Sequence, residues 1–495
     1  MTFSVALSRA GHVSARKHLV RPDHQEDLCF ALWRPSRGQE RETALVQILV
    51  LPRNGEREIH GNASFLPAYF ERALGEAIDA GAGLAFMHSH PSVGWQDMSN
   101  DDENAERAIA AATLGATGLP LVGLTLGIDG AWSARFWIKK GPRTFQRQWC
   151  TSVRVVGDQL AVTYNDRLLP PPRWRPELTR TASAWGPDIQ SQLARLHVGV
   201  VGVGSVGSIV AEALARMGIG RVRLLDFDSV QRHNLDRLLH AVDKDALNRT
   251  AKVEVVARAL RKHATADLFS VEPFELSVVE VEGFRAVLDC DVLFSCVDRP
   301  WPRNLLNFVA YAHLIPVVDG GIHVEAIRHR PGLKRADWRT HVVGPDHKCL
   351  ECLRQYDAGM VAADREGYFD DPSYIEGLPD SHPIKQNENV FTFSLATAAQ
   401  EVLQMLALTV LPSGLSNPGA QNFHFVTANL DVDPSLCRPN CFYHSLIGVG
   451  DHATVSFTGR HKVAEEQRQT RARSDKLLLR RFGRWIRTCL TRGSQ

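Results

Sequence analysis

Apolar and polar residues follow an irregular order along the first third of the chain, where short apolar runs are mixed with helical periodicity. Continuous apolar runs predict buried strands, and apolar positions that recur every three or four residues predict helices. These patterns predict strands at 43–51, 82–88, 120–128 and 132–139, and helices at 64–80 and 102–114. The mixture indicates an α/β domain.

From about residue 189 the two patterns alternate regularly. Strands are predicted at 197–201, 221–226, 291–296 and 315–319, and helices at 206–217, 249–263, 302–313 and 390–411. This alternation is typical of a doubly wound parallel sheet with helices on both faces. Residues 353–388 hold few periodic apolar positions and are predicted to form a long functional loop.

At 495 residues the chain is too long for one ordinary domain. The patterns predict an N-terminal α/β domain at 1–165 and a Rossmann-like domain at 189–457. Residues 166–188 are rich in Pro, Arg and Trp and are predicted to be a linker with a short lead-in segment. Residues 458–495 form a basic, polar C-terminal tail.

The composition, with 44% hydrophobic and 23% charged residues, is that of a soluble globular protein. A formal net charge of +2 is too small to predict nucleic-acid binding. The longest apolar run, 402–411, lies within a helical pattern and is shorter than the roughly 18 residues of a membrane span. We therefore expect no membrane association, and without a signal-peptide pattern we expect a cytoplasmic protein.

The N-terminal domain carries Glu26, then His88 and His90, then Ser99 and Asp102. Two histidines at i and i+2 at the end of a strand face the same side and can bind one metal ion. An aspartate on the next helix completes three protein ligands and leaves one position open for water, as in a catalytic zinc site. His-x-His alone is a weak signal, and Ser99-x-x-Asp102 is also a helix-capping pattern; the order of the whole set is what is specific.

This order resembles the JAMM/MPN metalloproteases, which remove ubiquitin-like proteins from partners. The resemblance covers about residues 1–150 and implies that His88, His90 and Asp102 bind zinc. It also implies that Glu26 is the general acid/base and that Ser99 stabilises the oxyanion. Two departures are a spacing of eight residues between His90 and Ser99, where seven is usual, and Cys29 where glycine is common; neither removes a ligand.

The second domain opens with Gly202, Gly204 and Gly207 in a Gly-x-Gly-x-x-Gly turn after a strand. This turn alone predicts only a Rossmann-type phosphate loop. Asp226 lies 19 residues beyond Gly207, where a carboxylate can bond ribose hydroxyls, and Asp228 follows it. A dehydrogenase would share these features.

The residues that follow favour adenylation instead. Asn234, Arg237 and Lys252 bring one amide and two cations toward the phosphates, where negative charge grows in the transition state. Asp298 follows a predicted strand and is placed to bind Mg²⁺.

Together these motifs (GVGSVG, LLDFDSVQRHNLDR, AKVE and SCVDRPWPRNLLN) are similar to those of the ubiquitin-activating (ThiF/MoeB) superfamily over about residues 180–450. The resemblance implies that ATP and Mg²⁺ are used: Asp226 holds the ribose, Arg237, Lys252 and Asn234 hold the phosphates, and Asp298 binds Mg²⁺. It also implies a homodimer in which Arg180 reaches the partner's ATP. Leu238 replaces the usual glutamine.

Two cysteine pairs, Cys349/Cys352 and Cys437/Cys441, look like the structural Cys₄ zinc site of that superfamily. Thioester-forming relatives also carry a nucleophilic cysteine before helix 390–411, but no cysteine lies between Cys352 and Cys437. An ungapped count places Ser381 at that position. One reading is an enzyme that only adenylates; the other is that Ser381 takes the acyl group as an oxyester.

The sequence thus predicts a zinc metallo-isopeptidase fused to an adenylyltransferase, with one catalytic and one structural zinc ion. The expected partners are a ubiquitin-like protein and a conjugating enzyme, as in the similar bacterial ubiquitin-like conjugation operons linked to phage defence. One alternative is activation of a sulfur-carrier protein in a sulfur-transfer pathway. Another is a non-catalytic scaffold.

Overall fold

The structure, a computed structural model, describes residues 1–472 except 61, 143, 328–329, 380–381, 386–387 and 416. The strands are β1 Thr2–Ser8, β2 Leu28–Arg37, β3 Arg41–Val50, β4 Arg57–His60, β5 Asn62–Phe65, β6 Gly83–Ser89, β7 Val122–Leu126, β8 Trp132–Lys139, β9 Phe145–Trp149, β10 Ser152–Val156, β11 Leu160–Tyr164, β12 His197–Val201, β13 Arg221–Leu225, β14 Ser270–Phe274, β15 Val292–Ser295, β16 Val317–Ala326, β17 Leu333–Val343, β18 Ala420–His424 and β19 Asn429–Asp433. The helices are α1 Arg9–Leu19, α2 Pro67–Asp79, α3 Asn100–Thr117, α4 Thr179–Trp185, α5 Pro187–Ala194, α6 Ser205–Arg216, α7 Asp243–Asn248, α8 Lys252–His263, α9 Val281–Val287, α10 Pro300–Ala312, α11 Ala358–Arg365, α12 Pro372–Gly377, α13 Phe391–Val410 and α14 Phe442–Ser445.

The first unit is built on a nine-stranded sheet of order β11-β10-β1-β3-β2-β6-β7-β8-β9. The four strands predicted in this region are present as β3, β6, β7 and β8. The predicted helix 64–80 begins later than expected, at Pro67, because residues 62–65 pair with β4 as a short hairpin. The last strands, β10 and β11, return to the first strand of the chain, since β10 pairs in parallel with β1.

The second unit holds an eight-stranded sheet of order β14-β13-β12-β15-β16-β17-β18-β19. The strands from β14 to β16 are parallel, as predicted. The sequence analysis did not predict β17, β18 and β19, which are added to the parallel strands in antiparallel order. These three strands extend the sheet beyond its parallel part.

The segment predicted as one long loop, 353–388, contains the short helices α11 and α12. Each begins at an aspartate whose side chain accepts a backbone N–H: Asp357 from Met360 and Asp371 from Ser373. A capping side chain satisfies an otherwise unpaired donor in the first turn. Capping therefore supports helices here that apolar periodicity did not reveal.

Among the described residues, only α13 is long and apolar enough to span a membrane by composition, and 56% of its most apolar window is buried in the protein. It packs against α6, β16 and β17. We interpret it as a core helix of the second unit.

Buried charges join the two units. The Arg41 and Arg154 guanidinium groups, from β3 and β10, donate to one oxygen of Asp291 at 2.6 and 2.7 Å, and the other oxygen accepts from His197 N at 3.0 Å. Burial acts to raise the pKa of Asp291, but the two arginines hold it well below its usual value. Asp291 is therefore ionised and links the two sheets.

We expect Asp291→Asn to destabilise the protein by about 3–5 kcal/mol, because it leaves two buried arginines without their counter-charge. The wild-type advantage should be present above about pH 4 and lost as the pH falls, since the folded pKa of Asp291 is depressed. Urea unfolding across pH checks both points. Asp97→Asn, which breaks an exposed pair with Arg167, is the control; equal effects of the two substitutions would contradict the assignment.

Candidate active sites

The glycine loop lies between β12 and α6, as predicted. Gly202 has φ of +87°, and a Cβ there would lie 2.5 Å from the Cys296 carbonyl oxygen, so a side chain is excluded. A Cβ on Gly207 would collide with the Gly202 carbonyl. Gly204 has open space around its Cα. The loop therefore packs closely on one side and presents bare backbone at the start of a helix on the other, which suits a phosphate group.

Asp226 positions this loop. Its two carboxylate oxygens accept from Val203 N at 2.7 Å and from Asp228 N at 2.8 Å, and burial raises its pKa. Asp228 faces Lys252, whose Nζ lies 2.8 Å from Asp228 Oδ2. Burial acts to raise the pKa of Asp228, yet Lys252 lowers it. These residues form a connected polar wall.

A cavity of 460 Å³ opens beside the loop and contains most of the predicted nucleotide-binding residues: Gly202, Gly204, Asp226, Asp228, Asn234, Arg237, Lys252 and Asp298. The Asn234 side chain accepts from Gln231 N at 3.0 Å and so caps the short turn that carries it. The Arg237 guanidinium donates to the His233 carbonyl at 2.8 Å and keeps other N–H groups for a ligand. Arg180, on the exposed side of α4, is not among the described residues that line this cavity.

Three carboxylates, those of Asp298, Asp364 and Asp370, line one wall of the cavity. Burial raises the pKa of Asp364 to about 6. Carboxylate oxygens are the ligands that Mg²⁺ prefers, but Asp364 and Asp370 also pair with the Arg299 guanidinium at 3.4 and 3.0 Å. The sequence analysis predicted Asp298 as a Mg²⁺ ligand. It did not identify Asp364 and Asp370, which lie in the segment predicted to be a long loop.

A larger groove of 1120 Å³ adjoins the cavity, and the two share Arg237, Cys296 and Asp298 in their walls. Strands β16 to β19 form its floor. The sequence analysis missed two arginines here, Arg303 and Arg339, which donate to opposite oxygens of the buried Asp319 at 3.0 and 2.6 Å. Arg303 lies within the motif SCVDRPWPRNLLN, which the sequence analysis used without assigning this arginine a role.

Part of the basic tail also lines the 460 Å³ cavity beside the glycine loop, which we call the nucleotide cavity. The sequence analysis did not predict this contact. Residues 462–472 are helical. His461 packs edge-on against Phe227 and Trp301, and Gln467 Nε2 donates to Asp228 Oδ1 at 3.0 Å. The tail residues 473–495 lie outside the described part of the chain.

The four cysteines predicted to bind zinc, Cys349, Cys352, Cys437 and Cys441, come together with their sulfurs within 4.8 Å of one another. The Cys349 and Cys441 sulfurs are 3.6 Å apart, close to the roughly 3.8 Å expected for a tetrahedron with Zn–S bonds of about 2.3 Å. A hydrogen bond with Cys349 lowers the pKa of Cys437 to about 4. The cluster could hold a structural zinc ion.

The N-terminal histidines and aspartate also converge as predicted. His88 Nε2 lies 3.2 Å from His90 Nε2, and Asp102 oxygens lie 3.4 and 3.3 Å from the two nitrogens. Donors bound to one tetrahedral zinc at about 2.0–2.1 Å would be about 3.3 Å apart. The triangle therefore fits zinc. Asp102 keeps a pKa well below normal because hydrogen bonds from the histidines outweigh the effect of burial.

Glu26 and Ser99 flank this triangle. Glu26 Oε1 lies 4.0 Å from His90 Nε2, and burial raises the pKa of Glu26. Ser99 caps α3: its hydroxyl accepts from Asp102 N at 3.1 Å, and its own N–H donates to Asp102 Oδ2 at 2.8 Å. The capping interpretation and the ligand interpretation are both compatible with this geometry, since the Ser99 O–H remains able to donate.

We expect Cys437→Ser to lower the zinc content by one ion per chain and to lower the unfolding temperature, because structural zinc contributes folding energy. His90→Ala should also lose one zinc ion but keep the fold. Metal analysis with thermal unfolding measures both. Cys150→Ala, at a buried cysteine outside the cluster, should keep the full zinc content; unchanged zinc in the first two variants would refute the sites.

Ser381, the predicted acyl acceptor, lies outside the described residues. The neighbouring His382 is described and accepts from Ile384 N through Nδ1 at 3.3 Å. Cys296 stands between the two cavities, but burial raises its pKa far above normal, and it donates to Glu401. Cys296 is therefore a packed thiol.

Comparison with known proteins identifies the second unit. The sequence profile of the ThiF family matches residues 178–426, half of the chain. The tRNA threonylcarbamoyladenosine dehydratase of Escherichia coli is 43% identical over 154 residues, 30% of this chain and 54% of that protein. The SAMP-activating enzyme E1 of Haloferax volcanii is 32% identical over 168 residues, which are 34% of this chain and 57% of that protein. Ubiquitin-like modifier-activating enzyme 5 of Drosophila willistoni is 31% identical over 140 residues, which are 26% of this chain and 34% of that protein.

The chain thus spans between a third and just over half of the length of these relatives. Among solved structures, E. coli MccB with ATP is similar with a TM-score of 0.42 and 18% identity, covering 54% of this chain and 74% of that one. The family match leaves residues 1–177 and 427–495 uncovered. Because it covers half of the chain, the protein belongs to the ThiF family.

Proposed function

We propose that this protein adenylates the C-terminal glycine of a ubiquitin-like protein and that its N-terminal domain trims that protein or removes it from targets. The observation that supports adenylation best is the continuity of the nucleotide cavity with the groove over β16–β19. ATP would fill the first and the extended C-terminal segment of the substrate would fill the second. ATP–pyrophosphate exchange that depends on such a substrate is the test.

In the adenylation step the substrate carboxylate attacks the α-phosphate of ATP, and pyrophosphate leaves. The open backbone at Gly204 and the start of α6 bind phosphate oxygens. Arg237 stabilises the charge that develops there. Mg²⁺ held by Asp298 and its neighbouring carboxylates would neutralise phosphate charge.

The proposed hydrolytic site uses His88, His90 and Asp102 as zinc ligands. Zinc there supplies a Lewis acid that polarises the scissile carbonyl and lowers the pKa of water. Glu26 takes a proton from the attacking water and returns it to the leaving amine. The Ser99 hydroxyl donates to the developing oxyanion. We assign this domain to the JAMM/MPN type on the residue pattern and this geometry.

We expect Ser381 to carry the acyl chain after adenylation, because no cysteine in its segment can do so. The product is an adduct that survives reducing gels, is cleaved by alkali and is absent in Ser381→Ala. Ser381→Cys should give a thiol-labile adduct. If wild type forms only adenylate and Ser381→Ala supports normal downstream transfer, the enzyme stops at adenylate.

A homodimer, with Arg180 reaching the partner's nucleotide, and a conjugating enzyme downstream are parts of the same proposal. A protein that is monomeric by light scattering and still active in exchange would refute the homodimer. In the sulfur-carrier alternative, the adenylate would instead be converted to a thiocarboxylate. The scaffold alternative fails if exchange is observed.

A further inference from the structure

A second cluster of metal-ligand side chains lies outside both sites. It consists of Glu212 on α6, His240 in the loop that follows Arg237, and His263 at the end of α8. Glu212 Oε2 lies 3.1 Å from His240 Nε2 and 3.0 Å from His263 Nδ1. One ligand atom from each residue lies within 4.8 Å of the other two. The two distances from Glu212 to the histidines are close to those between donors around a single small cation.

The backbone at His240 gives an independent sign that this ring is held in place. Its φ is +73°, in the left-handed region that non-glycine residues rarely adopt. Such conformations persist where the surrounding structure determines them, and they concentrate at functional sites. The strain places the imidazole against the Glu212 carboxylate, which is only 9% exposed.

The charges around the cluster favour a bound cation, with Arg216 as a competing group. Glu212 supplies negative charge, and imidazole nitrogens are common metal ligands. Arg216, one turn along α6, donates from Nε to Glu212 Oε1 at 2.5 Å. Its side chain is 59% exposed and can swing into solvent, so it competes with a cation without blocking one.

We propose that Glu212, His240 and His263 bind a divalent transition-metal ion, with Zn²⁺ as the expected occupant. Two imidazoles and one carboxylate are the donors of many zinc sites with an open fourth position. The ion would link the helix after the glycine loop, the loop that carries Arg237 and the helix that carries Lys252. It would therefore tie together three elements of the nucleotide site, and this assignment does not depend on the proposed function.

The test is equilibrium dialysis of the full chain against Zn²⁺ alone, with metal analysis of the protein. His263→Gln and His240→Asn should each bind one ion fewer per chain than wild type; Asn is chosen because it tolerates left-handed backbone. Arg216→Ala should bind the same number of ions as wild type, with a lower Kd for this site.

Wild type should also gain unfolding temperature with added Zn²⁺ at concentrations where the two histidine variants no longer respond. Equal zinc content in wild type, His263→Gln and His240→Asn would show that the cluster is only a set of hydrogen-bonded side chains. A weaker or absent extra site in Arg216→Ala would likewise overturn the proposal, because it would make Arg216 a supporting residue rather than a competitor.

Discussion

Arg237→Ala is expected to lower substrate-dependent ATP–pyrophosphate exchange by about 10²–10³-fold, the usual cost of removing one preorganised donor from a developing oxyanion. Arg237 lines both the nucleotide cavity and the groove, and 28% of its side chain is exposed. Its two described partners are a backbone carbonyl and the exposed Asp236. Removal of the Arg237 side chain should therefore leave the fold intact and lower the rate of adenylation.

Arg232→Ala is the matched control. Arg232 belongs to the same short turn, but its side chain is 74% exposed, pairs with Asp243 and lies outside the described linings of both cavities. This variant should exchange at the wild-type rate. If the two variants lose activity equally, the effect comes from the turn and not from a phosphate contact. Neither variant should alter cleavage by the proposed hydrolytic site, since the two sites lie on different sheets.

Glu26→Gln is expected to lower cleavage of a ubiquitin-like fusion by about 10²–10⁴-fold, because the proposed general base is lost while every proposed zinc ligand is kept. Glutamine has the same shape as glutamate, so the pocket beside His90 should remain filled. Cleavage kinetics and metal analysis on the same sample separate the two roles: activity falls, zinc content does not.

Glu58→Gln is a suitable control, because Glu58 is 56% exposed on β4, pairs with His60 and is not a member of the triangle. It should cleave at the wild-type rate. Near-normal cleavage by Glu26→Gln would show that another group acts as the base. Loss of zinc from that variant would instead make Glu26 a ligand.

The parts of both sites that were predictable from sequence depend on local geometry. His88 and His90 share a face because they stand two residues apart at a strand end, and Asp102 follows in the first turn of the next helix. The glycine loop was predictable because Gly202 and Gly207 sit where any side chain would collide. Such constraints act over a few residues and therefore appear as short motifs in the sequence.

The parts that were not predictable depend on distant contacts. The antiparallel strands β18 and β19 carry short, mixed sequences that gain their structure by pairing: β18 pairs with β17, and β19 pairs with β18. Gln467 reaches Asp228 across 239 positions of sequence. His240 and His263 join Glu212 only after three elements pack together. Such long-range contacts leave no periodic pattern in the local sequence.

One measurement tests most directly whether a single chain both trims and activates the same protein. A panel of ubiquitin-fold proteins, each with a terminal glycine either free or followed by a short extension, is incubated with the enzyme, ATP and Mg²⁺ and followed by intact-mass spectrometry. We predict that wild type removes the extension and then adenylates the exposed glycine. Glu26→Gln should activate the pre-trimmed form and leave the extended form unchanged. Activation of neither form by wild type, or trimming of the extended form by Glu26→Gln, would contradict the proposed function.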